Sequence, residues 1–374
     1  MRKTHLLAIL ALCCTASVAA SAEEESLPWQ EVNALDLRMV GKGWDNTLTP
    51  YTRIPAYLQD SVRPDLWERS QTSAGIGIRF ATDSKRIGVK YHLKWNTHLI
   101  HMADTGLKGM DLYIHEGDSV WRHVNTVRPY VNNNEEKLVD KQFVERLDGK
   151  MHEYMIYLPL YDGVEDMWVK VDSEAVITKG KPELIDPHRK IVAYGTSIMQ
   201  GGCASRTGMA STNIIGRELN AEVVNVGISG EGKMDQCMAR AMAAIPDADM
   251  YILDPVPNCT EMMCDTLTYD FVKIIADAHP STPIVMVAGP IYPYARYDSM
   301  FEKYLPAKND AFRRNYQRLK DEGYKNIYFV ESEGMDGVED DGTVDGIHLT
   351  DLGFRHYAEH LLPYLRSITG WEDQ

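Results

Sequence analysis

The hydrophobic pattern of the chain changes character near Pro182–Arg189. Before this segment, short runs alternate between apolar and polar residues, and turn residues such as Asp83-Ser84 and Tyr161-Asp162-Gly163 separate them. This alternation predicts β-strands at 75–81, 86–93, 111–114 and 167–171. Short strands at such a spacing are typical of an antiparallel β-sandwich.

After this segment, near-continuous apolar runs alternate with amphipathic stretches. The apolar runs predict strands at 190–196, 222–228, 249–256, 283–290 and 326–331. The amphipathic stretches predict helices at 210–219, 233–245, 267–278, 308–322 and 350–367. A parallel sheet covered by helices on both faces produces this alternation. We therefore expect a β-sandwich domain over 23–185 and an α/β domain over 186–374.

The start of the chain reads as a secretory signal peptide over 1–22. Arg2 and Lys3 give a basic start, an apolar core follows, and Ala20-Ser21-Ala22 supplies small residues for cleavage. The apolar core is too short to span a bilayer, so a membrane helix is the weaker interpretation. We expect an exported protein, periplasmic or extracellular, with no membrane insertion.

The charge of the chain limits its partners. The net charge is −15 at pH 7, and the predicted signal holds two basic residues and no acidic one, which leaves −17 for the remainder. Such a surface repels phosphate backbones, so we expect no nucleic-acid partner.

Four cysteines lie outside the predicted signal: Cys203, Cys237, Cys259 and Cys264. Disulfides persist in exported proteins, and four cysteines allow three pairings among which the sequence does not choose. Closure of the short loop between Cys259 and Cys264 is one alternative, and buried free thiols are the other. The cysteine spacing does not resemble a zinc site, and no metal is expected.

Polar residues stand at the ends of several predicted strands of the α/β domain. Ligands bind at this edge of an open parallel sheet. Ser197 follows the first strand, the segment 225–230 ends the second, and 254–258 ends the third, while Asp345 and His348 precede the last helix. Taken singly, the serine could cap a helix and the glycines could serve turns. Together they supply the hydroxyl, base, carboxylate and oxyanion donors that acyl transfer by serine requires.

These blocks resemble those of SGNH (GDSL-type) hydrolases: Gly195-Thr196-Ser197, Asn225 to Gly230, Asp254 to Asn258, and Asp345-Gly346-Ile347-His348. In the first half, Gly109-Met110-Asp111-Leu112-Tyr113 matches the GxDLY signature of a β-sandwich domain that precedes the catalytic domain in one branch of exported SGNH esterases. The resemblance implies a three-layer, flavodoxin-like α/β/α domain behind a jelly-roll-like sandwich.

The resemblance also implies roles for individual residues. Ser197 is the expected nucleophile, His348 the general base and then acid, and Asp345 the residue that orients His348. The backbone N–H groups of Ser197 and Gly230 and the side-chain amide of Asn258 are the expected oxyanion hole. No metal or organic cofactor is needed for this chemistry.

By this likeness the protein is an exported serine esterase that hydrolyses short-chain O-acyl esters, with O-acetyl esters on carbohydrates as the favoured substrate. A lipid, aryl or thioester acylhydrolase of the same fold and a non-catalytic glycan-binding protein are the alternatives. The partner is thus a small-molecule or glycan ester whose identity stays open. Tyr292 and Arg296, in the loop after the fourth strand, are candidate substrate contacts. Several aromatic residues could stack on sugar rings, although core packing is the expected role of most of them: Trp44, Tyr51, Trp95 and Trp121.

Overall fold

The computed structural model describes residues 28–117, 120–129, 137–335, 337 and 340–371. The predicted signal peptide, 1–22, lies outside these residues. No helix among those described combines the length and the apolar character needed to cross a membrane.

The first half is a sandwich of two antiparallel sheets, as predicted. The strands are β1 (Trp29–Asn33), β2 (Arg38–Val40), β3 (Gly77–Thr82), β4 (Ile87–Leu93), β5 (Met110–Glu116), β6 (Val120–Val127), β7 (Leu138–Val144), β8 (His152–Tyr157), β9 (Val164–Asp172) and β10 (Ile177–Thr178), with helices α1 (Pro64–Ser70) and α2 (Asp104–Leu107). One sheet has the order β1-β9-β4-β7, and the other has the order β10-β3-β8-β5-β6 with β2 added to β3. Buried side chains from both sheets, among them Phe80, Tyr91, Ile156 and Val169, form one core between them.

The second half is a parallel sheet between two helical layers, which confirms the predicted fold class. Its elements are β11 (Lys190–Gly195), α3 (Ser197–Gln200), α4 (Ser211–Glu218), β12 (Glu222–Gly227), α5 (Gln236–Ala243), β13 (Met250–Asp254), α6 (Glu261–Ala278), β14 (Ile284–Val287), α7 (Phe301–Asp321), β15 (Ile327–Val330) and α8 (Asp351–Thr369). The strand order, β12-β11-β13-β14-β15, is the flavodoxin-like order of a doubly wound sheet. One core packs α4 and α8 on one face, and a second core packs α5, α6 and α7 on the other.

Two kinds of element differ from the sequence-based expectation. Helix α6 begins at Glu261 rather than 267, because the Thr260 hydroxyl accepts a hydrogen bond from the Met263 N–H and caps the helix there. Strand β7 is not predicted from the sequence, because three consecutive exposed polar residues, 140–142, interrupt the alternation of apolar and polar positions. Such a strand is defined by its partner β4 rather than by its own residues.

The GxDLY segment forms part of the contact between the two halves. Asp111 is fully buried, and its Oδ2 accepts hydrogen bonds from Arg206 Nη1 (2.7 Å) and from the Gly208 N–H (2.8 Å). The Tyr113 hydroxyl accepts a second bond from Arg206 (2.7 Å). A Cβ on Gly208 would lie 2.3 Å from the Tyr113 hydroxyl oxygen, so this close approach requires glycine. The signature thus holds the segment that follows α3 against the sandwich.

Arg53 makes a second, buried connection between the halves. Its guanidinium donates to the carbonyl oxygens of Thr72 (3.2 Å) and Arg69 (3.2 Å) in the first half. The same group donates to the carbonyls of Gly227 (2.5 Å) and Asn225 (3.3 Å) at the end of β12. Burial lowers the pKa of Arg53 to about 9, so the side chain remains charged at neutral pH.

Candidate active site

Ser197 is presented at the carboxyl end of β11 by a turn that glycine makes possible. A Cβ on Gly195, the last residue of β11, would lie 2.7 Å from Cβ of Met199 and 2.9 Å from the Asp254 carbonyl oxygen. The helix cap is Thr196, whose hydroxyl accepts from the Ile198 N–H (3.3 Å). Ser197 is therefore the first helical residue and its hydroxyl is not used as the cap.

The structure brings Ser197, His348 and Asp345 into one hydrogen-bonded row. His348 Nε2 lies 3.1 Å from Ser197 Oγ, and Nδ1 lies 2.8 Å from Asp345 Oδ2. The other carboxylate oxygen of Asp345 accepts from the backbone N–H groups of His348 (2.8 Å) and Ile347 (3.0 Å). These contacts fix the carboxylate relative to the ring that it orients.

The charge of this row suits proton transfer from the serine. Burial alone would raise the pKa of Asp345, but hydrogen bonds from the side chain and backbone of His348 and from the backbone of Ile347 outweigh it and lower the pKa. The carboxylate is thus ionised at neutral pH and holds the proton on Nδ1, which leaves the Nε2 lone pair facing Ser197.

The expected oxyanion donors lie in the segments that follow three neighbouring strands. Among the described residues, the backbone N–H groups of Ser197 and Gly230 have no protein acceptor. Asn258 Oδ1 accepts from the Gly232 N–H (3.3 Å), which orients the amide so that Nδ2 is the atom available to donate. Gly230 has φ of +71°, a conformation that favours glycine.

A cavity of about 490 Å³ opens beside His348, between the two halves of the protein. The α/β domain supplies one side of its wall through His348, through Ser229, which precedes Gly230, and through residues that follow Ser197: Gln200, Gly202 and Cys203. The sandwich half supplies the larger share of the lining residues, a contribution that no sequence pattern predicts. The lining residues are Glu68, Arg69, Thr72, Trp95, Thr97, Leu99, His101, Met102, Tyr161, Gln200, Gly202, Cys203, Ser229 and His348.

Two side chains of the cavity wall hold the segment that carries Gly230. Gln200 is buried; its Nε2 donates to the Leu160 carbonyl (2.9 Å), and its Oε1 accepts from the Ser229 N–H (2.8 Å). Arg69 Nη1 donates to the Ser229 carbonyl (3.0 Å). No sequence pattern assigns a role to either side chain, and only the folded chain reveals these contacts.

His101 and Cys203 lie next to the histidine of the row. The rings of His101 and His348 are 5.5 Å apart between centroids and tilted by 55°. Cys203 is buried, has φ of +76° and follows α3 in the chain. Burial raises the pKa of the Cys203 thiol to about 12, so it is protonated at neutral pH and does not compete with the serine as a nucleophile.

The structure does not place Tyr292 or Arg296 among the described residues that line this cavity. Tyr292 is buried in the core of the α/β domain, where its ring stacks on Tyr294. Arg296 is exposed and forms an ion pair with Asp340. Both side chains thus make these contacts outside the described lining of the cavity.

The structure also locates the aromatic residues and the cysteines that were singled out in the sequence. Trp44, Tyr51 and Trp121 are buried in cores, whereas Trp95 lines the cavity. Cys203, Cys237, Cys259 and Cys264 are free thiols in this structure, and three of them are buried.

Comparisons with known proteins agree with this architecture. A family model described as GDSL-like lipase/acylhydrolase matches residues 188–366, and one for GxDLY, the N-terminus of SGNH-hydrolase-type esterases, matches 27–177. A comparison with curated proteins finds no significant match.

Solved structures extend the likeness to both halves. A protein from Bacteroides ovatus, whose crystal structure is described as a candidate GDSL-like lipase, is 31% identical, with a TM-score of 0.86 over 93% of this chain and 100% of that one. A salicylyl-acyltransferase from a tetracycline biosynthetic pathway shares the fold at 16% identity, with a TM-score of 0.71 over 91% of this chain and 97% of that one. A family two carbohydrate esterase from Clostridium thermocellum, solved with cellohexaose, shares it at 14% identity, with a TM-score of 0.56 over 80% and 94%. The chain therefore belongs to the GDSL-like (SGNH) lipase/acylhydrolase family and carries the N-terminal GxDLY domain of SGNH-type esterases.

Proposed function

We propose that the protein is an exported serine esterase that removes short acyl groups, in the first place acetyl groups, from carbohydrates. The observation that carries the catalytic part is the row of Ser197 Oγ, His348 Nε2 and Asp345, with separations of 3.1 and 2.8 Å. Both distances lie within the range over which a base takes the proton of a nucleophile and a carboxylate orients that base.

In the proposed reaction, Ser197 Oγ attacks the ester carbonyl while His348 Nε2 takes the hydroxyl proton. The oxyanion of the tetrahedral intermediate is held by the N–H groups of Ser197 and Gly230 and by Asn258 Nδ2. His348 then returns the proton to the leaving alcohol, and the acyl group stays on Ser197. Water attacks the acyl-enzyme by the same route and releases the acid.

Support for a carbohydrate as the alcohol comes from the cavity and from the fold. A sugar ring fits a volume of about 490 Å³, and Trp95 offers an aromatic face in its wall. Glu68 and Arg69 add polar groups that suit hydroxyls. Two family two carbohydrate esterases share the fold, which makes such a substrate the first to test.

The same cavity favours a second candidate, an aryl-ester acylhydrolase. Its wall includes Trp95, Leu99, Met102 and Tyr161, and it is larger than an acetyl group needs. If the acyl group rather than the alcohol occupies this space, bulky aromatic acyl groups will be preferred over acetyl.

The decisive experiment measures hydrolysis of nitrophenyl acetate by wild type, Ser197→Ala and the matched control Ser281→Ala, whose serine is exposed and outside the described cavity wall. We expect Ser197→Ala to abolish turnover while its circular dichroism spectrum is unchanged, and Ser281→Ala to keep full activity. Equal activity of wild type and Ser197→Ala would refute the assignment.

A panel of acetylated glycans and of nitrophenyl esters with acetyl, longer alkyl and aromatic acyl groups separates the two candidates. Acetate release from glycans, with rates that fall as the acyl group grows, supports the carbohydrate esterase. A preference for aromatic acyl groups supports the second candidate. Glycan binding without hydrolysis of any ester would favour a non-catalytic protein.

A further inference from the structure

His101, Cys203 and His348 form a cluster of metal-ligating groups in the wall of the cavity. One donor atom from each residue, a ring nitrogen or the sulfur, lies within 4.8 Å of the others. The three residues come from three segments: the turn bridged by Leu99 and Met102, the segment after α3, and the loop before α8. No part of the catalytic scheme above uses His101 or Cys203.

We propose that this cluster is a binding site for a thiophilic divalent cation such as Zn²⁺, and that its occupancy switches off the esterase. The inhibition of the esterase by the cation rests on the proposed function, whereas cation binding itself does not.

The donor set and its spacing suit this class of ion. Two imidazoles and one sulfur are ligands of Zn²⁺ and similar borderline metals, whereas Mg²⁺ and Ca²⁺ prefer oxygen. In a tetrahedral zinc site the ligand atoms lie about 3.3–3.5 Å apart, as follows from Zn–N and Zn–S bonds of about 2.0 and 2.3 Å. Closing the cluster from 4.8 Å therefore requires movements of about 1 Å.

His101 is free to make this movement. Among the residues that the structure describes, no protein group forms a hydrogen bond with its ring nitrogens, and its side chain is half-buried at the tip of a turn. Cys203 is buried one short helix away from Ser197, in a backbone conformation with φ of +76° that side chains rarely adopt. Such strained residues concentrate at functional sites.

His348 is already oriented as a metal ligand. Its Nδ1 is held by Asp345 at 2.8 Å, which leaves Nε2 with the lone pair. A carboxylate on the far nitrogen is the arrangement that supports histidine ligands in zinc sites generally. A cation and the hydroxyl proton of Ser197 would then compete for the same lone pair, so the cation-bound enzyme cannot activate its serine. The Cys203 thiol gives up its proton to solvent when it binds the cation.

The first test is titration of metal-free wild type with ZnCl₂ during hydrolysis of nitrophenyl acetate, with MgCl₂ as the control salt. We expect Zn²⁺ alone to inhibit, with full recovery on addition of a chelator. Each variant is compared with its own uninhibited rate. His101→Ala and Cys203→Ser should each raise the half-inhibitory Zn²⁺ concentration at least about tenfold. His98→Ala, which removes a neighbouring exposed imidazole outside the cavity wall, should leave it unchanged.

The second test needs no catalysis and so separates the two proposals. Ser197→Ala protein titrated with CoCl₂ should develop a near-ultraviolet sulfur-to-cobalt absorption band, and Ser197→Ala/Cys203→Ser protein should not. Absence of the band in Ser197→Ala would overturn the site, as would equal inhibition of wild type, His101→Ala and Cys203→Ser. If only Cys203→Ser misfolds, the His101→Ala comparison still decides the matter.

Discussion

Replacement of Arg53 by methionine tests how the two halves hold the oxyanion segment. Methionine keeps much of the apolar volume but removes four hydrogen bonds to carbonyl oxygens, those of Thr72, Arg69, Gly227 and Asn225. A hydrogen bond of this kind contributes about 1 kcal/mol net, so the loss amounts to about 4 kcal/mol of unfolding free energy. Unfolding entropy is about 2.1 cal/mol/K per residue, so for a chain of 374 residues this loss corresponds to roughly 5 °C in Tm.

The variant should also lose activity, because the Gly227 carbonyl lies three residues before the Gly230 donor. We expect kcat for nitrophenyl acetate to fall roughly tenfold to a hundredfold while KM changes less, since a displaced donor weakens the transition state most. Differential scanning calorimetry and steady-state kinetics measure the two effects. Arg146→Met, at an arginine that is 89% exposed, is the matched control and should change Tm by less than about 1 °C. An Arg53→Met protein with the Tm and kcat of wild type would refute the reasoning.

Three further predictions concern single side chains. Asp345→Asn should lower kcat by roughly 10³–10⁴-fold with little change in Tm, because the amide cannot stabilise a protonated His348; a loss below tenfold would contradict the assigned role. Gly230→Ala should destabilise the protein by about 1 kcal/mol and reduce kcat, since φ is +71° and the new Cβ would lie 3.0 Å from Arg69 Nη1; unchanged kinetics would argue against Gly230 as a donor. Burial raises the pKa of Asp254 to about 8. The unfolded chain then binds fewer protons than the folded one between pH 4 and pH 8, so this group lowers stability as pH rises, by up to about 1.4 kcal/mol per pH unit. In Asp254→Asn, the free energy of unfolding by urea should depend less on pH across that range than in wild type. The same pH dependence in both proteins would show that Asp254 is not its cause.

Much of the fold could be predicted because its signals are local. A strand buried on both faces, such as β11, reads as an apolar run, and α8 carries its own apolar stripe. Strand β7 could not be read in this way, because three consecutive exposed polar residues, 140–142, break its alternation and only pairing with β4 defines the strand. Helix α1 was also missed, since a seven-residue segment offers too few turns for periodicity to emerge.

The residues of the candidate site could likewise be predicted only in part. Ser197, Asp345 and His348 could be predicted because each follows a strand or precedes a helix at one sheet edge, where the parallel topology gathers them. Tyr292 and Arg296 were predicted because their loop also follows a strand at this sheet edge. The Tyr292 side chain instead packs into the core, and the Arg296 side chain pairs with Asp340. The end of a strand predicts where the following loop lies, but it does not predict where the side chains of that loop point.

The sequence by itself determined the two folds and the residues proposed for catalysis, because strand ends and apolar periodicity are properties of short segments. Only the tertiary structure decided what surrounds the serine. Arg69, Trp95 and His101 reach the cavity because buried contacts such as Asp111 with Arg206 dock the sandwich against the α/β domain. Such contacts join residues about a hundred positions apart, and no local pattern records which distant segments will meet.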